Sequence, residues 1–255
     1  MGVNEFRISA VSFLNTSPLV WGLTHGPLEG RAEIWFEVPS ACAASVAGGV
    51  ADVGIIPVIE MARQGLPSVP GLGIASDGEV RSIFLVSQVP AEEIRSLALD
   101  TSSRTSVALA RIVLERKHGV RPRTIPYPPN VDKMLTFADA ALVIGDPALR
   151  LAPVQQGLFI YDLGREWTEM TGLPMVYAMW AGRRAADAAE LLKESYAYGR
   201  ERIEEIVASE ALPRQIPVAV AREYLTRNII FELSERHMRG LELFLSMAMV
   251  QGSSL

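Results

Sequence analysis

Residues 6–58, FRISAVSFLNTSPLVWGLTHGPLEGRAEIWFEVPSACAASVAGGVADVGIIPV, alternate short apolar runs of β type with stretches of helical pattern. FRISAVSF, AEIWFEV and ADVGIIPV read as strands. PLVWGL and ACAASVAGG read as the helices between them, which gives a βαβαβ rhythm. The strand runs are apolar on both parities, as expected for strands covered on both faces in a mainly parallel sheet. In such open sheets ligands bind at the carboxyl ends of the strands, where the loops face a crevice.

Working outward, QGLPSVPGLG (64–73) reads as a Pro- and Gly-rich loop, VRSIFLVSQ (80–88) as a further strand, and VPAEEIRS (89–96) as a crossover. A second α/β rhythm then begins. SLALD, RTIPY and DAALVIGD read as strands, RTSVALARIVLERKHG as an amphipathic helix that Gly119 stops, and NVDKMLTFA as a short helix. The apolar run LPMVYAMWAG (173–182) carries the chain back to the first unit. Two long helices follow, one in 190–209 and one in 222–249. The reading is an α/β chain of two lobes joined by two crossings. The first lobe takes residues 1–90 and 176–255, and the second takes 91–175.

The chain has 255 residues, 49% of them hydrophobic and 21% charged, the balance of a folded globular protein. Its 24 Lys and Arg against 29 Asp and Glu give a net charge of -5, so no global field favours nucleic acid. The basic stretch RKHGVRPR (116–123) reads as dipole compensation and a solvated turn. Cys42 is the single cysteine, which excludes an intramolecular disulfide and a cysteine-cluster metal site. The start lacks a signal-peptide pattern and no run is apolar enough to span a membrane, so a cytoplasmic location without membrane contact is expected.

Two strand-to-helix turns are rich in polar groups. In SFLNTSPL (12–19), Thr16 and Ser17 suit a helix cap with Pro18 at the first helical position, and the free N–H groups there could dock an anion. Capping leaves Asn15 unexplained. In DTSSRTS (100–106), Thr101, Ser102, Ser103, Thr105 and Ser106 supply five hydroxyls within six residues. That exceeds one cap and suits a cradle for a carboxylate, to which Arg104 could add charge.

Further candidates are single residues. Ser82 interrupts an apolar strand, which costs desolvation unless its hydroxyl is bonded, so it is expected to face a polar cleft. Ser40 follows Pro39 as an N-cap or a cleft hydroxyl. Asp146 before Pro147 is an N-cap or a cleft carboxylate. WTEMTGLP (167–174) either packs and turns or lines the cleft. His25, His118 and His237 sit at helix ends or in a charged helix, so neither a catalytic triad nor a metal site is supported, and no cofactor is expected.

SFLNTSPL, GLGIASDGEVRSIFLVS, LDTSSRTSVALARIVL, ALVIGDPAL and DLGREWTEMTGLPMVYAMWAG, taken in order, resemble the menaquinone-biosynthesis family of the futalosine route, and within it the chorismate dehydratases. The resemblance implies a type II periplasmic-binding-protein-like fold with a ligand cleft between the lobes. It also implies conversion of chorismate, a small dicarboxylate, to 3-[(1-carboxyvinyl)oxy]benzoate and water. It carries Asn15 and Ser82 over as catalytic cleft residues and Thr105 and Ser106 as groups that grip a substrate carboxylate. Thr16, Ser17, Ser40, Ser102 and Asp146 complete the expected substrate-binding set. The sister 1,4-dihydroxy-6-naphthoate synthases share the fold but use a histidine base in a central loop, and none of the three histidines here occupies one. A non-catalytic small-anion binding protein is the alternative that the fold itself offers.

Overall fold

The computed structural model describes residues 5–100, 102, 104–151 and 157–252. In chain order the first elements are β1 (Phe6–Val11), α1 (Ser17–Thr24), β2 (Ala32–Glu37), α2 (Pro39–Ala47), β3 (Val53–Pro57), α3 (Val58–Gln64) and β4 (Ser68–Ser76). Next come β5 (Ile83–Ser87), β6 (Ser96–Leu99), α4 (Arg104–Arg116), β7 (Arg123–Pro126), α5 (Val131–Met134), β8 (Ala140–Ile144), α6 (Asp146–Leu149), β9 (Phe159–Asp162) and α7 (Leu163–Thr171). The last part holds β10 (Met175–Ala181), α8 (Ala185–Arg200), α9 (Ile203–Glu210), α10 (Val218–Glu223), β11 (Ile230–Glu232) and α11 (Glu235–Gly252).

The strands form two sheets, β11-β4-β10-β3-β1-β2 and β7-β6-β8-β5-β9. The opening βαβαβ unit is as read: β1 lies between β2 and β3 and is parallel to both, with Ile8 opposite Ile34 and Val53. LPMVYAMWAG does return the chain to the first sheet, where β10 runs antiparallel between β3 and β4. The chain passes between the sheets at residues 77–82 and again at 172–174.

Three expectations need correction. IFLVS pairs with β8 and β9 in the second sheet. The first crossing therefore falls before Ile83 and not near residue 90. The run is apolar on every position, so polarity alone could not say which sheet it enters. The Pro- and Gly-rich loop is largely strand β4, because the register between Gly73↔Met179 and Ser68↔Ala181 slips enough to hold Pro70 and Gly71 in a bulge, with Gly71 at φ +76°. The two expected C-terminal helices are also broken up. The first divides into α8 and α9. The second contains a π-helical turn at Tyr224–Asn228 and then β11, since Ile229, Ile230 and Phe231 form a β-type run that pairs with β4. Ser234 then restarts the helix, its N–H and hydroxyl both bonded to His237 Nδ1.

One hydrophobic core runs through the first sheet and its helices into the second, with Trp21, Trp167 and Trp180 buried completely or nearly so. Burial of each such side chain contributes roughly 1.5–3 kcal/mol. Trp167 bonds Pro174 O through Nε1 at 3.3 Å, so the packing reading of WTEMTGLP holds for this residue. The seat of α1 is set by close approach to α8: a Cβ on Gly199 would lie 2.1 Å from Pro18 O, and one on Gly22 would lie 2.7 Å from Ser195 Cα. This contact anchors the helix whose approach segment carries Asn15. Among the described residues no helix is long and apolar enough to cross a membrane.

Candidate active site

A cavity of about 520 Å³, counted out to its mouth, opens between the sheets. Its wall takes Val11, Phe13 and Asn15 from the end of β1, Pro57 from β3, and Ile144 and Gly145 from the end of β8. It therefore lies off the carboxyl ends of parallel strands, as open α/β sheets require. Pro39 at the start of α2 and Ser106 in the first turn of α4 also line it, so helix N-termini reach it from both lobes and favour an anion. Among the described residues that line it there is no Asp, Glu, His, Lys or Arg. Tyr177, the one titratable group among them, hydrogen-bonds to Ser76 Oγ at 2.8 Å, and burial pushes its hydroxyl far above the usual phenol range.

Asn15 and Ser82 meet through a third residue. Asn15 Nδ2 donates to Tyr224 Oη at 2.9 Å, and Tyr224 Oη donates to Ser82 Oγ at 2.9 Å. Tyr224 is 1% exposed, and burial holds its hydroxyl well above the phenol range despite the bond to Ser82. Asn15 Oδ1 is buried with no hydrogen-bond partner among the described residues. A carbonyl oxygen left so costs about 1–3 kcal/mol, a debt that a bound donor would remove. Sequence reasoning missed Tyr224, because a tyrosine in an amphipathic stretch reads as core. The β-type run that follows was the only signal of an irregular turn.

The other candidates sort by position. Ser106 lines the cavity with Asn15 and Ser82. Ser40 does not cap α2, which starts at Pro39 after Val38; its N–H instead bonds Ser102 O across the lobes at 2.9 Å. Ser102 N in turn bonds Asp100 Oδ1. Thr101 and Ser103 lie outside the described residues. Thr105 faces α3, its Oγ1 accepting from Ile59 N at 3.4 Å, and Arg104 pairs with Glu60 at 3.0 Å. The hydroxyl-rich turn thus fastens one lobe to the other, and among its described residues only Ser106 stands on the cavity wall.

Thr16, Ser17 and Asp146 depart from expectation. A 3-10 turn at Leu14–Thr16 precedes α1, so Thr16 makes no capping bond and its hydroxyl is buried without a partner among the described residues. The same turn rotates Ser17 out of the cleft into a separate hollow beside Trp21, His25 and Arg214. Asp146 is neither the cap of α6, which is Gly145, nor a cavity carboxylate. Its Oδ1 accepts from Leu14 N at 2.9 Å and its Oδ2 from Arg214 Nη1 at 2.7 Å, a clasp that holds the segment bearing Asn15. Beside it, Phe13 packs on Gly145, where φ is +63° and a Cβ would come within 2.6 Å of the ring.

Among the described residues no cluster of three or more His, Cys, Asp and Glu is arranged to hold a metal ion. His118 bonds Glu166 at 2.8 Å and His25 stacks on Trp21 at 3.8 Å, both away from the cavity. Arg81, with φ +65°, sits on the crossing segment, where its N–H and that of Val80 bond Asp162.

The profile of the menaquinone biosynthesis family matches residues 6–249. The chain belongs to that family. Chorismate dehydratase of Thermus thermophilus is 28% identical over 201 residues, covering 71% of this chain and 73% of the relative. That of Campylobacter jejuni is 27% identical over 242 residues, covering 92% and 93%. In fold the chain is similar to a protein of Archaeoglobus fulgidus (TM-score 0.77, 18% identity, 99% of both chains). It is also similar to the periplasmic aliphatic sulphonate binding protein of Escherichia coli (TM-score 0.67, 17% identity, 99% and 88%). The two-lobed, periplasmic-binding-protein-like fold expected of the family is the fold observed.

Proposed function

We propose that the protein is a chorismate dehydratase, a carbon–oxygen lyase that converts chorismate to 3-[(1-carboxyvinyl)oxy]benzoate and water on the futalosine route to menaquinone. The observation that carries the reading is the inventory of the cavity: hydrogen-bonding groups and helix starts that suit an anion, and no side chain fit to act as a base. Two relatives named for this activity support it. A lone, fully buried thiol and a net charge of -5 fit the cytoplasmic setting that belongs to the same reading.

The chemistry matches so plain a site. The C3–H bond of chorismate is vinylogous to the ring carboxylate, so proton loss gives a delocalised anion. Expulsion of the C4 hydroxyl then makes the ring aromatic, which drives the reaction. The proton passes from C3 to the substrate's own enolpyruvyl carboxylate, and the carboxyl group so formed gives it up to the leaving hydroxide, which departs as water and leaves the carboxylate as it was. The protein has to fix the pose and stabilise the negative charge that builds on the ring and the leaving oxygen. In this scheme Asn15 Oδ1 accepts from the C4 hydroxyl, Ser82 donates toward the leaving oxygen, and Ser106 with the start of α4 holds a carboxylate.

Incubation of the purified protein with chorismate tests the reading, with formation of the aromatic product followed by ultraviolet absorbance. Turnover is expected without added metal or cofactor. Binding of chorismate with no conversion would move the protein to the solute-binding class that its fold neighbours represent.

A further inference from the structure

We propose that Tyr224 is a positioning residue that couples the polarity of Asn15 to that of Ser82, so that the two present one donor and one acceptor to the substrate as a unit. The activity readout rests on the chorismate reading; the coupling itself rests on geometry alone.

A side-chain amide nitrogen can only donate, so Tyr224 Oη must accept from Asn15 Nδ2 and has one proton left. That proton goes to Ser82 Oγ. Ser82 Oγ, as the acceptor of that bond, keeps its own proton to donate, and Asn15 Oδ1 is an acceptor with no hydrogen-bond partner among the described residues. The relay can run in only one other sense, with the amide turned over and both hydroxyls reversed, which would present Asn15 as donor and Ser82 as acceptor. A tyrosine between them forces both to switch together. Without it each residue chooses its orientation independently, and a substrate that needs one donor and one acceptor meets the right pair only part of the time.

The backbone supports this role. Tyr224 opens a π-helical turn of Tyr224–Asn228, closed by Ile229 N bonding Tyr224 O at 3.1 Å. Such turns carry one extra residue, shift the phase of the helix and are frequent at functional sites. Here the turn delivers the Tyr224 hydroxyl to the crossing segment at Ser82 and places Ile229 on the cavity wall. Asn228 Nδ2 fixes the turn to the same segment through Glu79 O at 3.3 Å.

The test is Tyr224→Phe, measured alone and with Ser82→Ala. We expect kcat for chorismate to fall by about 10- to 100-fold with KM changed by less than about threefold, as a loss of transition-state interactions requires. We also expect Tyr224→Phe to cost nothing more once Ser82→Ala is present. Full kcat in the single variant, or losses that multiply in the double variant, would overturn the proposal. A readout free of activity is the Asn15 side-chain amide resonance in the substrate-free protein, which should shift and exchange faster in Tyr224→Phe; an unchanged resonance overturns it too. If the variant fails to fold, the wild-type protein decides. A slowly exchanging Tyr224 hydroxyl proton with a nuclear Overhauser contact to the Asn15 amide is expected, and rapid exchange without that contact contradicts the coupling. A wild-type protein that leaves chorismate unchanged would sink the functional reading while the amide readout still judges the relay.

Discussion

SFLNTSPL and DTSSRTS look alike in sequence, each a polar turn between a strand and a helix, yet they do different work. The first places Asn15 on the cavity wall with an unpartnered acceptor and a bond to Tyr224. The second binds lobe to lobe through Ser102 with Ser40, Thr105 with Ile59 and Arg104 with Glu60, leaving Ser106 to face the cavity. Counting hydroxyls therefore overrates the second turn. A polar residue that local capping cannot explain is the better guide, because the structure gives it no local use.

The contrast predicts unequal responses to mutation. Asn15→Ala should lower kcat by about 10²-fold, the usual cost of losing the pose of a reacting group, with little change in melting temperature. Steady-state turnover of chorismate beside a thermal melt checks it, and a variant with wild-type kcat would erase the distinction between the turns. Asp146→Ala should cost about 2–3 kcal/mol of stability in urea unfolding, since Leu14 N–H loses its buried acceptor while Arg214 keeps Glu210. Turnover should fall as well, because the clasp seats the Asn15 segment. If stability falls and turnover stays intact, the clasp does not position the site.

A third prediction concerns the wall of α2 beside the first turn. Burial pushes the Cys42 thiol from 9.0 up to about 11. The folded state holds this proton more tightly than the unfolded chain, so its contribution is complete below pH 9 and lost as pH rises to about 11, roughly 2–3 kcal/mol in all. Tyr177 and Tyr224, raised by burial in the same sense, extend the loss to higher pH. Urea midpoints at pH 8 and 10.5 measure it, and Cys42→Ala should flatten the early part of the decline. The smallest effect belongs to the second turn: Thr105→Val removes one long bond of 3.4 Å and should cost at most about 1 kcal/mol, with kcat within about threefold of wild type. A large loss of kcat there would return the turn to the catalytic group.

The fold was legible where periodicity and burial agree. FRISAVSF, AEIWFEV and ADVGIIPV form the parallel strands they suggest, and LPMVYAMWAG returns the chain to the first sheet between β3 and β4. It was illegible where a tertiary choice decides. IFLVS could enter either sheet on its composition, SVPGLGIAS hides a strand behind a bulge, and REYLTRNIIF conceals a π-helical turn and an edge strand. The site followed the same rule. Asn15, Ser82 and Ser106, singled out because local capping or strand packing did not account for them, line the cavity. Thr16, Ser17 and Asp146 were misplaced because a 3-10 turn and a contact with Arg214 cannot be read from neighbours in sequence.

In the proposed function substrate chemistry takes place on the wall formed by Asn15, Ser82 and Ser106, and a crystal structure with 3-[(1-carboxyvinyl)oxy]benzoate bound tests this most directly. We predict the product between the lobes, with one carboxylate at the start of α4 against Ser106 and an oxygen atom at roughly 3 Å from Ser82 Oγ. Product held instead by Thr105 and Asp146, or seated in the hollow beside Trp21 and Arg214, would contradict the account.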